Sequence, residues 1–347
     1  MTKETPTRTV WLSLIIAAIT VLGLPALASA AAGVGGSAIV GQLYGWSNSR
    51  GGWLATSVDG HQLVLRDLTG AAITLSGVPG AAVGAVTRLA PAQGAVLVGV
   101  TRTGSTFGPL LPFRVDLATG IPVPLPAPAD APGGLQLRGT DGNSLVWDTG
   151  TNRTPYGGIG LRIQKIGGSE NRPLRVPGFL VTLDVTTSQA LVAVVDGLAI
   201  AGLANGVVTR VGPLASGKVV TQGALLAGRV VYVEETTDAA TPTKRRVRSC
   251  WLKTAQCTTL LTTIGDVSSL TATSKGFAII VSTGPTSTSL KWGVWLGSTG
   301  QLNGSQSTSA VSVLARAAGQ VVVGSSTSSA LAVLDVETGL RHPLPTS

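Results

Sequence analysis

The chain has 347 residues, 44% of them hydrophobic, 4% aromatic and 12% charged, with 46 glycines and a formal charge of +9. That apolar share excludes a disordered chain, which combines low hydrophobicity with high net charge. The length admits two average domains or one large all-β domain; two histidines cannot build a multi-histidine metal site, and two cysteines with no histidine near them make a poor zinc site.

Met1–Ala30 has the form of a secretory signal. Lys3 and Arg8 give a positive start, Val10–Leu24 is an apolar run, and Ala28-Ser29-Ala30 presents the small residues that signal peptidase requires. The apolar run also approaches membrane-spanning length, so a retained anchor is the alternative; Pro25 and the Ala-x-Ala ending favour cleavage. The expected domains are residues 1–30 as signal and 31–347 as one mature domain placed outside the membrane.

After residue 30 the pattern is one of strands. Ile39–Trp46, Trp53–Ser57, Gln62–Asp67 and Ala72–Leu75 make a first set of four. Gly84–Leu89, Ala95–Val100, Leu110–Leu117 and Ile121–Leu125 make a second. The second ends in the clearest hairpin of the chain, FRVDLATGIPVPL over Phe113–Leu125. Phe113, Val115 and Leu117 alternate with Arg114 and Asp116, the period that points successive side chains to opposite faces. Gly120 supplies the positive φ of the turn, and Asp116 stands where a carboxylate accepts the turn's N–H groups. Asp67 with Gly70 and Asp335 with Gly339 repeat the arrangement. Ile121–Pro132 (IPVPLPAPADAP) reads as an edge strand and a stiff connector.

Further along, Asp148–Gly158 (DTGTNRTPYGG) and Glu234–Arg246 read as long connections between a second and a third strand, projecting from one side. Such loops commonly carry a binding surface. Within and after the second of them, Lys244-Arg245-Arg246-Val247-Arg248 is either a solvated loop entering a strand or an anion-binding patch. Elsewhere arginines such as Arg88, Arg102, Arg138, Arg162 and Arg229 are scattered singly. That gives a diffuse positive field rather than a groove, so no nucleic-acid partner is expected. Cys250 and Cys257 flank a turn and are expected to form a disulfide across a hairpin. The last unit reads as Ala310–Leu314, Val321–Gly324, Leu331–Val336 and Arg341–Leu344.

The third-to-fourth-strand turns fall near Thr69-Gly70, Thr119-Gly120, Gly167-Gly168, Asn205-Gly206, Thr254-Ala255, Thr299-Gly300 and Thr338-Gly339. Their spacing of about 45 residues is that of a propeller blade. Unbroken apolar runs at Leu191–Val195, Val230–Val233, Phe277–Val281 and Val321–Val323 suit strands covered on both faces. On the turns at Asp67–Gly70, Asp116–Gly120 and Asp335–Gly339, the chain resembles the secreted bacterial β-propeller repeat proteins of the TolB-like and quinoprotein-like kind. The resemblance implies an all-β fold of four-stranded antiparallel blades. The turn spacing puts their number at seven, with six or eight as alternatives, and a string of two or three β-sandwiches is the competing architecture. No tryptophan follows Gly70, Gly120 or Gly339 at the quinoprotein spacing, so no quinone cofactor is implied, and the WD40 pairing occurs once, at Trp147-Asp148.

No catalytic motif stands out. His61 and His342 sit beside a turn and the terminus, and no Gly-x-Ser-x-Gly elbow precedes a helix. Glu234 and Glu235 point to opposite faces of a strand, and Asp148 could meet Glu170 or Asp184 only across blades. Trp46, Trp53, Trp147, Trp251, Trp292 and Trp295 are spread among the units, mainly as packing residues, with at least one of Trp292 and Trp295 expected on the surface. The sequence therefore points to an extracytoplasmic, monomeric binding module without cofactor or metal, its partner a protein or an envelope polymer. The candidate contacts are Lys244, Arg245, Arg246, Arg248, Trp147 and Tyr156. A propeller hydrolase or lyase with an acidic central site, and a binder of anionic wall polymer, are the alternatives.

Overall fold

The structure is a computed structural model. It describes residues 43–47, 53–58, 62–66, 72–75, 81–92, 95–102, 110–116, 119, 121–125, 136–141, 143–148, 160–168, 170–214, 217–236, 244–284, 287–308, 310–317, 319–325 and 332–343. The proposed signal segment, His61 and Tyr156 lie outside them.

The described residues form seven four-stranded antiparallel sheets. The first holds β1 (Leu43–Ser47), β2 (Trp53–Val58), β3 (Gln62–Arg66) and β4 (Ala72–Leu75). The second holds β5 (Ala81–Ala92), β6 (Ala95–Arg102), β7 (Leu110–Asp116) and β8 (Pro122–Pro124). The third holds β9 (Gln136–Thr140), β10 (Ser144–Asp148), β11 (Gly160–Lys165) and β12 (Asn171–Arg175). β13 (Phe179–Val185), β14 (Gln189–Val194), β15 (Gly197–Gly202) and β16 (Val208–Pro213) make the fourth. β17 (Lys218–Leu226), β18 (Arg229–Thr236), β19 (Arg245–Trp251) and β20 (Gln256–Thr263) make the fifth. In the sixth are β21 (Asp266–Ala272), β22 (Gly276–Ser282), β23 (Thr288–Leu296) and β24 (Thr299–Ser307). β25 (Ala310–Ala317), β26 (Gln320–Ser325), β27 (Ala332–Asp335) and β28 (Arg341–Pro343) complete the seventh.

In every sheet the strands pair in chain order. The first strands of consecutive sheets lie side by side from β1 to β25, and β1 lies against β25, so the sheets close a circle. Independent sandwiches would not. Closure uses no exchanged strand, because the first sheet is built wholly from the start of the described chain and the last from its end.

The core lies between sheets rather than within one. In β14, Ala190, Val192 and Val194 pack towards Val146, Leu161 and Leu174 of the third sheet, while Leu191 and Ala193 pack with Val230, Tyr232 and Cys250 of the fifth. β18 divides in the same way: Val230 and Tyr232 face one cluster, Val231 and Val233 the other. In β22, Phe277, Ile279 and Val281 face the fifth sheet, and Ala278 and Ile280 the seventh. A strand covered on both faces has no solvent side to reserve for polar residues, which explains the continuous apolar runs.

Polar side chains tie neighbouring sheets near the inner strands. Thr182 of β13 donates both its hydroxyl and its N–H to Asp148 of β10. Leu225 N–H of β17 donates to Asp184 of β13 at 2.7 Å. The Gln222 amide reaches the Val267 carbonyl of β21 at 2.5 Å, and Ser269 Oγ accepts from Val313 N–H of β25 at 3.1 Å.

Two expectations are corrected. The sixth turn is Gly297-Ser298, with Gly297 at φ 58°, and Thr299-Gly300 already belongs to β24. Trp292 and Trp295 do fall on opposite faces of β23, but both are half-buried between sheets. Trp295 packs with Phe277 at 5.0 Å between centroids, and Trp292 against the cluster shared with the seventh sheet.

Candidate functional site

The densest charged group in the described chain is on the fifth sheet, at the end bearing the β18–β19 connection. Pairing of β18 with β19 sets Glu234 opposite Arg246 and Glu235 opposite Arg245. Successive residues face opposite ways, so the pairs sort into two groups. On one face the Glu234 carboxylate, its side chain 3% exposed, takes Lys218 Nζ at 2.7 Å, Arg248 Nη1 at 3.3 Å and Arg246 Nη1 at 3.5 Å. On the other, Arg245 Nε bonds Glu235 at 2.7 Å and its guanidinium also reaches Asp266 of β21. Lys244 is exposed beside them.

Two of these cations decide the state of Glu234. Burial alone raises its pKa, but the hydrogen bond and charge of Lys218, followed by Arg248, outweigh it and hold the carboxyl below its ordinary value. Tyr232, next on that face, is shifted upward by burial, with Arg248 opposing. Among the described residues at this end, five cations (Lys218, Lys244, Arg245, Arg246 and Arg248) thus stand with three carboxylates (Glu234, Glu235 and Asp266), an excess of positive charge. Arg246, with its side chain 41% exposed, and Lys244 present that excess to solvent.

Cys250 and Cys257 form a disulfide between β19 and β20, directly opposite one another in the pairing register. Cys250 faces Tyr232, so the bridge sits below the charged group on the same face of the sheet.

The remaining sequence candidates lie elsewhere. Trp147 is 1% exposed and its indole N–H donates to Gln164 at 3.1 Å, which places it in the packed interior of the third sheet rather than on a contact face. Asp148 is buried with Arg138 Nε at 2.5 Å; burial raises its pKa and Arg138 counteracts that. Asp148 and Asp184 each bond a different neighbouring sheet, so both act as ties. Among the described residues no group of three or more His, Cys, Asp or Glu side chains could hold a metal ion, and no helix is long and apolar enough to cross a membrane. Reading the sequence missed Lys218, which lies 16 residues before Glu234 and meets it only through the β17–β18 pairing.

A closed circle of four-stranded meanders packed face to face defines a β-propeller. No family model and no curated protein matches the sequence. Solved structures do match in fold. A prolyl endopeptidase structure aligns at TM-score 0.59 and 12% identity, covering 87% of this chain and 49% of that one, so the chain spans about half its length. AztD from Citrobacter koseri aligns at TM-score 0.52 and 11% identity, covering 87% and 85% of the two chains. A TolB structure from Agrobacterium tumefaciens is also similar, at TM-score 0.45 and 13% identity over 65% of this chain and 81% of that one. Identities this low speak to the fold, which enzymes and non-enzymes share.

Proposed function

We propose that the chain is an extracytoplasmic binding module: a seven-bladed propeller that meets an acidic protein or envelope polymer through the basic end of its fifth blade. The observation that carries this reading is the excess of cations over carboxylates among the described residues there, with Lys244 exposed and the Arg246 side chain 41% exposed. The disulfide supports placement in an oxidising compartment, as does the leader-like form of Met1–Ala30 with cleavage near Ala31. A dedicated binder of anionic wall polymer is the narrower second reading, favoured by the outward Lys244.

The test is co-sedimentation of the purified protein with polyglutamate, polyphosphate and envelope material across a salt series. Retention at low salt, lost by about 0.5 M where screening reaches within a few ångströms, is expected. Lys244→Glu with Arg246→Glu should abolish it. Retention indifferent to both salt and charge reversal would overturn the proposal.

A further inference from the structure

Resting on that reading, we infer that the basic end of the ring takes an extended acidic polypeptide with apolar side chains, not a purely anionic polymer. The ground is a row of exposed apolar residues beside the cations. Val219, 36% exposed, follows Lys218 near the start of β17, and Leu180, 39% exposed, holds the same second position in β13. Ile264, 75% exposed, lies in the connection into β21.

The ties between inner strands place these residues together. Gln222 of β17 bonds the Val267 carbonyl of β21. Val219 and Ile264 each precede the tied residue in chain order, so both stand at the end of the ring where β17 and β21 begin. Leu183 of β13 lies against Gly223 of β17, so Leu180, three residues earlier, stands at that same end. One exposed apolar side chain is ordinary. Three at the same end of neighbouring first strands, on the end that carries the cations, give that end the mixed apolar and charged character that marks an interaction site.

Charge complementarity fixes the sign of the partner, and the apolar row fixes its class. A phosphate or uronate chain would satisfy Lys244 and Arg246 and leave Leu180, Val219 and Ile264 in water. An extended polypeptide points successive side chains to opposite sides, so one segment can lay apolar groups on the row and carry carboxylates to the rim.

Fluorescence anisotropy with three labelled probes of matched charge tests this: a peptide alternating Glu and Leu, polyglutamate, and polyphosphate. The Glu-Leu peptide should bind about tenfold tighter than polyglutamate, as expected for covering two or three aliphatic side chains only in part. Val219→Ser and Ile264→Ser, both at exposed positions, should remove that advantage and leave the other two probes unaffected. Lys244→Glu should weaken all three. Equal binding of all probes, or serine variants that change nothing, would overturn the inference while the basic-face reading survives. Polyphosphate binding tightest would assign the site to polymer instead, and no binding of any probe would overturn both.

Discussion

The guanidinium carbon of Arg229 lies 4.0 Å from the centre of the Trp295 ring, joining the second strand of the fifth blade to the third strand of the sixth. Trp251 stands 4.9 Å away. The same guanidinium donates to the carbonyls of Gly297, Ser298 and Thr299 and to Ser249 Oγ. Arg229 is 3% exposed, and burial lowers its pKa. A planar fork that stacks and donates in several directions is needed here, and an ammonium cannot replace it. Arg229→Met should cost about 2–3 kcal/mol, since it removes the charged donor from the buried Ser249 hydroxyl and from three part-buried turn carbonyls. Arg229→Lys should recover less than half of that. Urea unfolding measures both, and a lysine variant as stable as the parent would refute the role of the planar group.

A second prediction concerns Ala255, at φ 54° in the β19–β20 turn. The corresponding turns of the third, fourth, sixth and seventh blades place Gly167, Gly206, Gly297 and Gly339 at φ between 58° and 74°. An L-residue in that region costs about 1–2 kcal/mol, offset in a glycine variant by about 0.4–1 kcal/mol of unfolded-chain entropy. Ala255→Gly should therefore raise stability modestly, read as a higher urea midpoint at unchanged slope. A lower midpoint would contradict the account.

The disulfide yields a third. Cys250 and Cys257 are separated by 7 residues, and closing so short a loop stabilises by about 2–2.5 kcal/mol in the chain-entropy description. Reductant, or the double change Cys250→Ser with Cys257→Ser, should lower the melting temperature while far-UV circular dichroism keeps the strand signature. Complete loss of that signature would show that the bridge sustains the fold rather than tightening one hairpin.

The period was legible because turn signals recur about every 45 residues, three of them written as an aspartate shortly before a glycine. At Asp335 the carboxylate accepts the N–H groups of Glu337 and Thr338 and the Thr338 hydroxyl, the arrangement that Asp-x-x-Thr-Gly announces, and the Thr338 N–H leads in holding its pKa below the ordinary value. The sixth turn misled because Thr299-Gly300 imitates that signal two residues late. Gly300 is there for space: a Cβ on it would come within 2.7 Å of the Trp295 ring. The charged group was half legible. Lys244–Arg248 stands out as a run of cations, but its counter-charges come from Glu234, Glu235 and Asp266 on other strands, and strand register is not written in a local stretch of sequence. Trp147 misled in the opposite sense, since a tryptophan beside a long loop reads alike whether its ring points inward or outward.

The last prediction follows from the sign of the Glu234 shift. Its folded pKa is depressed, so the unfolded chain takes up the proton first. The stabilisation is whole above the unfolded value of about 4.3 and is lost as pH falls through the depressed folded value. Asp335 acts in the same sense. Asp148 acts in the opposite sense, because its raised pKa favours the folded state at low pH and loses that contribution as pH rises through the folded value. Glu234→Gln keeps the shape but leaves Lys218, Arg246 and Arg248 without their shared anion. At neutral pH it should cost about 2–4 kcal/mol, below the full cost of breaking a buried pair because the three cations retain some water. The difference from the parent should shrink as pH falls from about 6 towards about 3, because the parent's own carboxylate is being neutralised over that range. Denaturant unfolding at several pH values tests this directly. Parallel stability curves for parent and variant would mean that Glu234 does not carry the charge balance of this face.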